Sequence, residues 1–166
     1  MSQVNSISNI ASSIDLGVGG SLQLRFAKLQ LALSEVSKEA AMKEIDAIEK
    51  SQEEQKQVSQ MLQQARQAQA EATDKNATAM TQEMQDYMDK NNLAYDKAGN
   101  DNLHYKDQWE VAITSLKAHL DQLGTNTQQK MVFVQDYMGQ YNSYLQGANS
   151  AIQQSNQTLA ELARVR

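Results

Sequence analysis

From Thr127 to Leu162 the side chains at alternating spacings of four and three are almost all apolar. The line runs Met131, Val134, Met138, Tyr141, Leu145, Ala148, Ile152, Leu159 and Leu162, with Thr127 and Ser155 its polar members. A sustained 3.5-residue repeat is the seam of a coiled coil. At 1.5 Å per residue it predicts a helix about 50 Å long. A straight α-helix drifts away from such a repeat, so the seam requires supercoiling against a partner helix.

The other faces of this helix lack charge. Between Gln122 and Ala160 the charged residues are Lys130 and Asp136, and the remainder is rich in Gln, Asn, Ser, Gly and Ala. Solvated coiled coils carry Glu and Lys beside the seam, so the pattern points to further faces covered by neighbouring chains. Gly139 and Gly147 each cost about 1 kcal/mol in a helix interior relative to Ala. They read as places where another helix comes close.

The rest of the chain supplies a partner. There is no proline, which favours long uninterrupted helices. Ser21 suits an N-cap. Leu22, Phe26, Leu29, Leu33, Val36 and Ala40 then follow four-three spacing, with Leu24 and Leu31 widening the apolar arc. The repeat continues in a new phase through Ala41, Ile45, Ile48, Gln52, Gln55, Ser59 and Leu62. Residues 65–80 show no seam. A short helix is predicted from Thr81, with Met84, Tyr87 and Met88 on one face and an end at Asn91-Asn92. Residues 93–106 form an exposed connection, with a turn at Gly99-Asn100-Asp101 and short β structure around Leu93–Tyr95 and Leu103–Tyr105. Asp107 is read as the cap of the next helix, which carries Trp109, Ile113, Leu116, Leu120 and Leu123. Gly124 suits a C-cap and Thr125 or Asn126 a new N-cap, the alternative being a rigid continuation through Gly124.

The predicted fold is therefore all-α: two long antiparallel helices forming a coiled-coil hairpin, with an irregular middle region containing short helices. Residues 1–20 read as a flexible leader and 21–166 as a single helical coiled-coil domain. Aromatic residues make up 5% of the chain, too few for a thick globular core.

Function classes narrow in the same way. A net charge of −5 leaves no basic stripe for nucleic acid. The absence of cysteine removes disulfides, thiolate metal sites and cysteine nucleophiles. No run of about 18 apolar residues exists, so stable membrane insertion is not expected. Residues 1–20 lack the continuous apolar core of a cleaved signal peptide. His104 and His119 have no evident carboxylate constellation, and Glu53-Glu54 lies on a solvated helix. No catalytic residue, metal ligand or cofactor site is expected. Met84, Tyr87, Met88, Met131 and Met138, at helical spacing, read as core rather than as a methionine-rich binding surface.

The layout resembles the EspA/SseB family, the filament-forming hydrophilic translocators of type III secretion systems. A Ser/Asn-rich leader precedes an apolar helix (LQLRFAKLQLALSEVSKEA) that passes into a Gln/Glu-rich one (IDAIEKSQEEQKQVSQML). A "YM…N" stretch follows at Asp86–Leu93, then AITSLKAHLD, then the Gln/Asn/Ser-rich C-terminal coiled coil. The resemblance implies that residues 1–20 are an export leader. It implies secretion to the bacterial surface through a type III apparatus, protection by a dedicated cytosolic chaperone, and polymerisation into a hollow filament that extends the needle. The partners would be the chain itself and the type III needle and translocator proteins. Self-assembly contacts would fall on Met131, Val134, Met138, Tyr141, Leu145, Ala148, Ile152, Leu159 and Leu162, and on Leu22, Phe26, Leu29, Leu33 and Val36. Trp109 before the coiled coil also resembles needle-tip caps of the IpaD/SipD type, which are about twice this length. A cytosolic coiled-coil chaperone or adaptor is the remaining alternative.

Overall fold

The computed structural model describes residues 21–97 and 102–164. The leader at 1–20, the expected turn at Gly99-Asn100-Asp101, and Arg166 lie outside them. The elements are α1 (Leu22–Glu71), β1 (Thr78–Ala79), α2 (Gln82–Lys90), β2 (Leu103–His104) and α3 (Lys106–Arg164). The fold is all-α, with two long antiparallel helices paired as a hairpin. It comprises two compact units. One joins the described residues up to Asp46 with those from Lys130 on; the other is Ala47–Gln129.

Local chemistry sets most of the helix ends. The hydroxyl of Ser21 accepts from Leu24 N at 3.3 Å, the expected cap of α1. Helix α1 runs through the seamless Ala-rich stretch to Glu71, beyond the last seam residue. Thr81 caps α2 by accepting from Met84 N. The same helix closes with Asn92 in the left-handed region (φ 54°), where Asn92 N donates to Asp89 O and Leu93 N to Met88 O. That is the Schellman pattern, with Asn in place of the usual Gly.

Three expectations are corrected. No helix break occurs at Gly124: α3 is continuous for 59 residues, because the residues on either side keep one seam and both sides bury it. Asp107 lies inside the first turn of α3 rather than capping it. The cap position is Tyr105, whose backbone N–H is taken by the Gln108 side chain at 2.8 Å, half of a capping box. Of the two expected β stretches, Leu103–His104 is a strand, paired antiparallel with Thr78–Ala79, and residues 93–95 are not. Those residues instead lead away from α2, where Tyr95 and Lys97 both donate to the Asp89 carboxylate. The Lys97 ammonium holds that carboxyl below its usual range.

The Ala47–Gln129 unit holds the only thick core among the described residues. Val58, Met61, Leu62 and Ala65 of α1 meet Trp109, Ala112, Ile113 and Leu116 of α3, and Met80, Met84 and Met88 close the cluster. Trp109 is its keystone. Its indole N–H donates to Thr78 Oγ1 at 2.7 Å, and Thr78 in turn donates to Ala68 O. The ring of His104 stands edge-on to it at 5.4 Å. The two-residue sheet is thus tied to both long helices. As the sole Trp, it reports on this unit alone. Trp109→Ala should cost about 3–5 kcal/mol by cavity formation and loss of buried area, seen as a lower denaturation midpoint by circular dichroism. A loss under about 1 kcal/mol would contradict its place at the centre.

Candidate functional site

In the Ala47–Gln129 unit the buried faces of the long helices carry large apolar side chains, whereas toward the helix ends they run one residue away from many of them. Along α1 the buried or half-buried line is Ala27, Gln30, Ser34, Ser37, Ala41, Glu44, Ile48, Ser51, Gln55, Val58, Leu62 and Ala65. It keeps one phase throughout, so the expected phase change at Ala41 is absent. Along α3 the line is Trp109, Ile113, Leu116, Leu120, Leu123, Thr127, Lys130, Val134, Tyr137, Tyr141, Tyr144, Ala148, Ala151 and Ser155. Antiparallel contacts fix the pairing: Ser21 with Ser155 at 3.4 Å between hydroxyls, the Gln30 side chain against Gly147, and Ser51 with Thr127 at 2.9 Å.

In heptad letters, Ala27 and Thr127 are a positions, and the second seam position comes three residues later, at d. The sequence line through Met131, Met138, Leu145, Ile152 and Leu159 takes the fourth residue after each a position instead, which is e. This shifts half of the expected α3 seam. Val134, Tyr141 and Ala148 lie on the observed seam, Ala148 fully buried. Met131, Met138 and Ile152 lie beside it, from 37% to 50% exposed, and Leu145 is half-buried there. Leu159 and Leu162 are about 60% exposed, beyond the last seam contact at Ser155. On the second half of α1 the expected Ala41, Ile48, Gln55 and Leu62 lie on the observed seam, whereas on the first half the shift is complete. Leu22, Phe26, Leu29, Leu33 and Val36 occupy c and g positions. Leu22 is 81% exposed, Phe26 is exposed, and the other three are half-buried. Met84 and Met88 are core as expected, whereas Met131 and Met138 are surface.

The physical reason is size. In the unit formed by the ends of α1 and α3 the inward residues are chiefly Ala, Ser and Gln on α1 against Ala, Ser and Tyr on α3. Small side chains let two helix axes approach toward the short end of the 8–10 Å range. Ser34 and Ser37 donate back to Leu31 O and Leu33 O, so they satisfy their hydroxyls within their own helix. The glycines divide in the same way. A Cβ on Gly147 would sit 3.1 Å from the Gln30 side chain, whereas one on Gly139 would meet nothing within 4 Å. Close helix packing within the chain therefore involves Gly147 and not Gly139.

Polar groups cluster in the Ala47–Gln129 unit. Thr127 donates to Leu123 O and accepts from Gln55 Nε2 at 2.8 Å, leaving Ser51 to donate to it as well. On the g side, Tyr87 of α2 donates to Glu54 at 3.0 Å, and His119 Nε2 lies 3.0 Å from the same phenol oxygen. With the Tyr proton committed to Glu54, His119 fits as the donor to the phenol. Glu54 is thus a packing partner and not merely part of a solvated face. Burial, then the hydrogen bond and charge of Glu54, push the Tyr87 phenol above its usual range. Among the described residues no group of His, Asp and Glu could hold a metal ion. No helix there is long and apolar enough to cross a membrane.

Comparison with protein-family models, curated proteins and solved structures finds no match to this chain.

Two outcomes follow from this geometry. The native fold holds the Tyr87 proton more tightly than the unfolded chain does. Its contribution to stability is therefore complete below pH 10 and lost as pH rises through the raised folded value. The denaturation midpoint should fall with alkali above pH 10, less steeply in Tyr87→Phe; equal slopes would contradict the assignment. For the dispersed chain, Gly139→Ala should gain up to about 1 kcal/mol. Gly147→Leu should lower the midpoint by crowding Gln30, and the reverse order in thermal melts would contradict the packing described.

Proposed function

We propose that the chain is a structural, self-assembling subunit, and more specifically a subunit of an extracellular type III secretion filament. The observation that carries the self-assembly reading is the outward placement of large apolar side chains. Leu22, Leu24, Phe26, Leu31, Met131, Phe133, Met138 and Ile152 are all exposed, beside a seam whose fully buried members are Ala and Ser. Full burial of one such side chain is worth about 1.5–3 kcal/mol. Exposed apolar surface on both sides of the seam is the kind of surface that marks interaction sites. The near-absence of charge on α3 after Gln122 adds to this, since flanking charge is what keeps a coiled coil apart from its neighbours.

The filament assignment rests on the sequence layout resembling the EspA/SseB family. On that reading the chain is secreted to the bacterial surface through the type III apparatus. It needs a dedicated chaperone to cover its apolar faces before export, and it meets needle and translocator proteins at its ends. Its role is non-enzymatic: it builds a conduit rather than transforming a substrate.

Electron microscopy of purified protein at rising concentration tests the reading. Open-ended filaments are expected. Discrete small rings would favour a needle-tip cap, and a dimer stable at every concentration would favour a cytosolic adaptor; either result overturns the filament. Ile152→Asp, at an exposed position, should leave helicity unchanged and abolish assembly by placing an unpaired charge in the contact. Unaltered filaments would show that Ile152 is no subunit contact.

A further inference from the structure

The apolar side chains at the start of α1 form an unbroken ridge. Leu22, Phe26, Leu29, Leu33 and Val36 alternate between c and g, with Leu22 and Phe26 exposed and the other three half-buried. Ala40 ends the line, and the next c position is Lys43. From Leu22 to Val36 the ridge is about 21 Å long. On α3, Gly147 is the g position that meets Gln30, and it has no side chain to stand between the ridge and a third helix.

The Ala47–Gln129 unit shows what g positions of this helix pair accept. Met84 and Met88 of α2 share one core cluster with Met61 and Ala112, which are g positions of α1 and α3. Tyr87 of the same helix reaches Glu54 and His119, also at g. The third helix there belongs to the same chain. A stripe of the same kind precedes α1. Val4, Ile7, Ala11 and Ile14 are spaced three, four and three residues apart, with Ile10 beside them and only Ser and Asn otherwise between. Taken backwards, Val36, Leu33, Leu29 and Phe26 of the ridge are also spaced three, four and three apart. Helices joined by a turn of about 2–5 residues run antiparallel, and in that direction the two stripes match residue for residue. Gly17, Gly19 and Gly20 stand immediately before the Ser21 cap and permit the left-handed backbone that such a turn uses. Charge agrees with this direction. Asp15 is the one charged residue before Ser21; it would enter beside Arg25 and Lys28, and α1 has no acidic residue before Glu35.

We infer that residues 4–16 dock as a third helix along the α1 ridge of their own chain, with Val4 against Val36, Ile7 against Leu33, Ala11 against Leu29 and Ile14 against Phe26. The partner is tethered, so its effective concentration is high and a modest apolar contact suffices. In the dispersed chain the ridge is then covered from within, and a second copy reaches it only by displacing these residues. The inference concerns the single chain and stands apart from the self-assembly reading; its test is read on dispersed protein, where the presence or absence of filaments does not enter.

The chain has no cysteine, so introduced pairs report the contact. Ile7→Cys with Leu33→Cys joins matched positions. Ile7→Cys with Leu31→Cys places the second thiol at e, on the other side of α1. Both pairs are oxidised mildly in the dispersed full chain and read by mass spectrometry without reduction. The first should close within the chain about tenfold faster than the second, since an undocked tether would reach both alike. Equal rates, or crosslinks formed only between chains, would overturn the docking. Should a cysteine pair unfold the chain, hydrogen exchange in the unaltered chain decides. The amides of residues 7–14 should exchange about tenfold or more slowly than in a free peptide of residues 1–20. Phe26→Asp, at an exposed position, should return them to the free rate. Exchange at the free rate in the unaltered chain, or protection left unchanged by Phe26→Asp, would overturn the proposal.

Discussion

Two helices meet along one line each, and the residues on those lines decide what is left for other partners. Here α1 and α3 meet along Ala27, Ser34, Ser37 and Ala41 on one side and Ala148, Ala151 and Ser155 on the other. This choice governs the unit they form. Small seam residues permit close approach, but they bury little apolar area, and burial of area is the main source of stability. Apart from the half-buried Val134, Tyr137, Tyr141 and Tyr144, the larger apolar side chains of this unit stand on the flanks, where no described residue of the chain covers them.

The Ala47–Gln129 unit solves the same problem within one chain. Its seam carries Val58, Leu62, Trp109, Ile113 and Leu116, and its g side is covered by α2. Polar groups are placed where they can be fully paired: Ser51, Gln55 and Thr127 form one satisfied layer, and Thr78 links Trp109 to Ala68 O. Such layers hold only when the facing helices keep one register, since a shift would leave buried donors and acceptors unpaired. The continuous 59-residue α3 thus serves a unit with its own thick core and a unit whose large apolar residues face out.

Helix content was legible in the sequence because it rests on local signals. The caps at Ser21 and Thr81, the Asn91-Asn92 stop and the absence of proline each act within a few residues. The seams were legible only in period. Following the largest apolar residues selected e positions on α3 and c/g positions on α1, one residue from the observed lines. Nothing in a single helix's pattern says whether its broadest apolar stripe faces the partner in its own chain or a partner outside it. Gly124 misled for a related reason: a good C-cap residue ends a helix only if the seam also ends there, and Leu123 to Thr127 continues it. The Tyr87–Glu54–His119 cluster drew on three elements distant in sequence, so no local motif announced it.

The placement of the large apolar residues is tested most directly by methionine oxidation in the dispersed chain, read residue by residue by mass spectrometry, because sulfoxide formation follows exposure. Met42, Met131 and Met138 are exposed, and Met61, Met80, Met84 and Met88 are buried. The account predicts fast oxidation of the first three and protection of the other four. Protection of Met131 and Met138 in the monomer, at the level of Met84 and Met88, would place them on the intramolecular seam and contradict it.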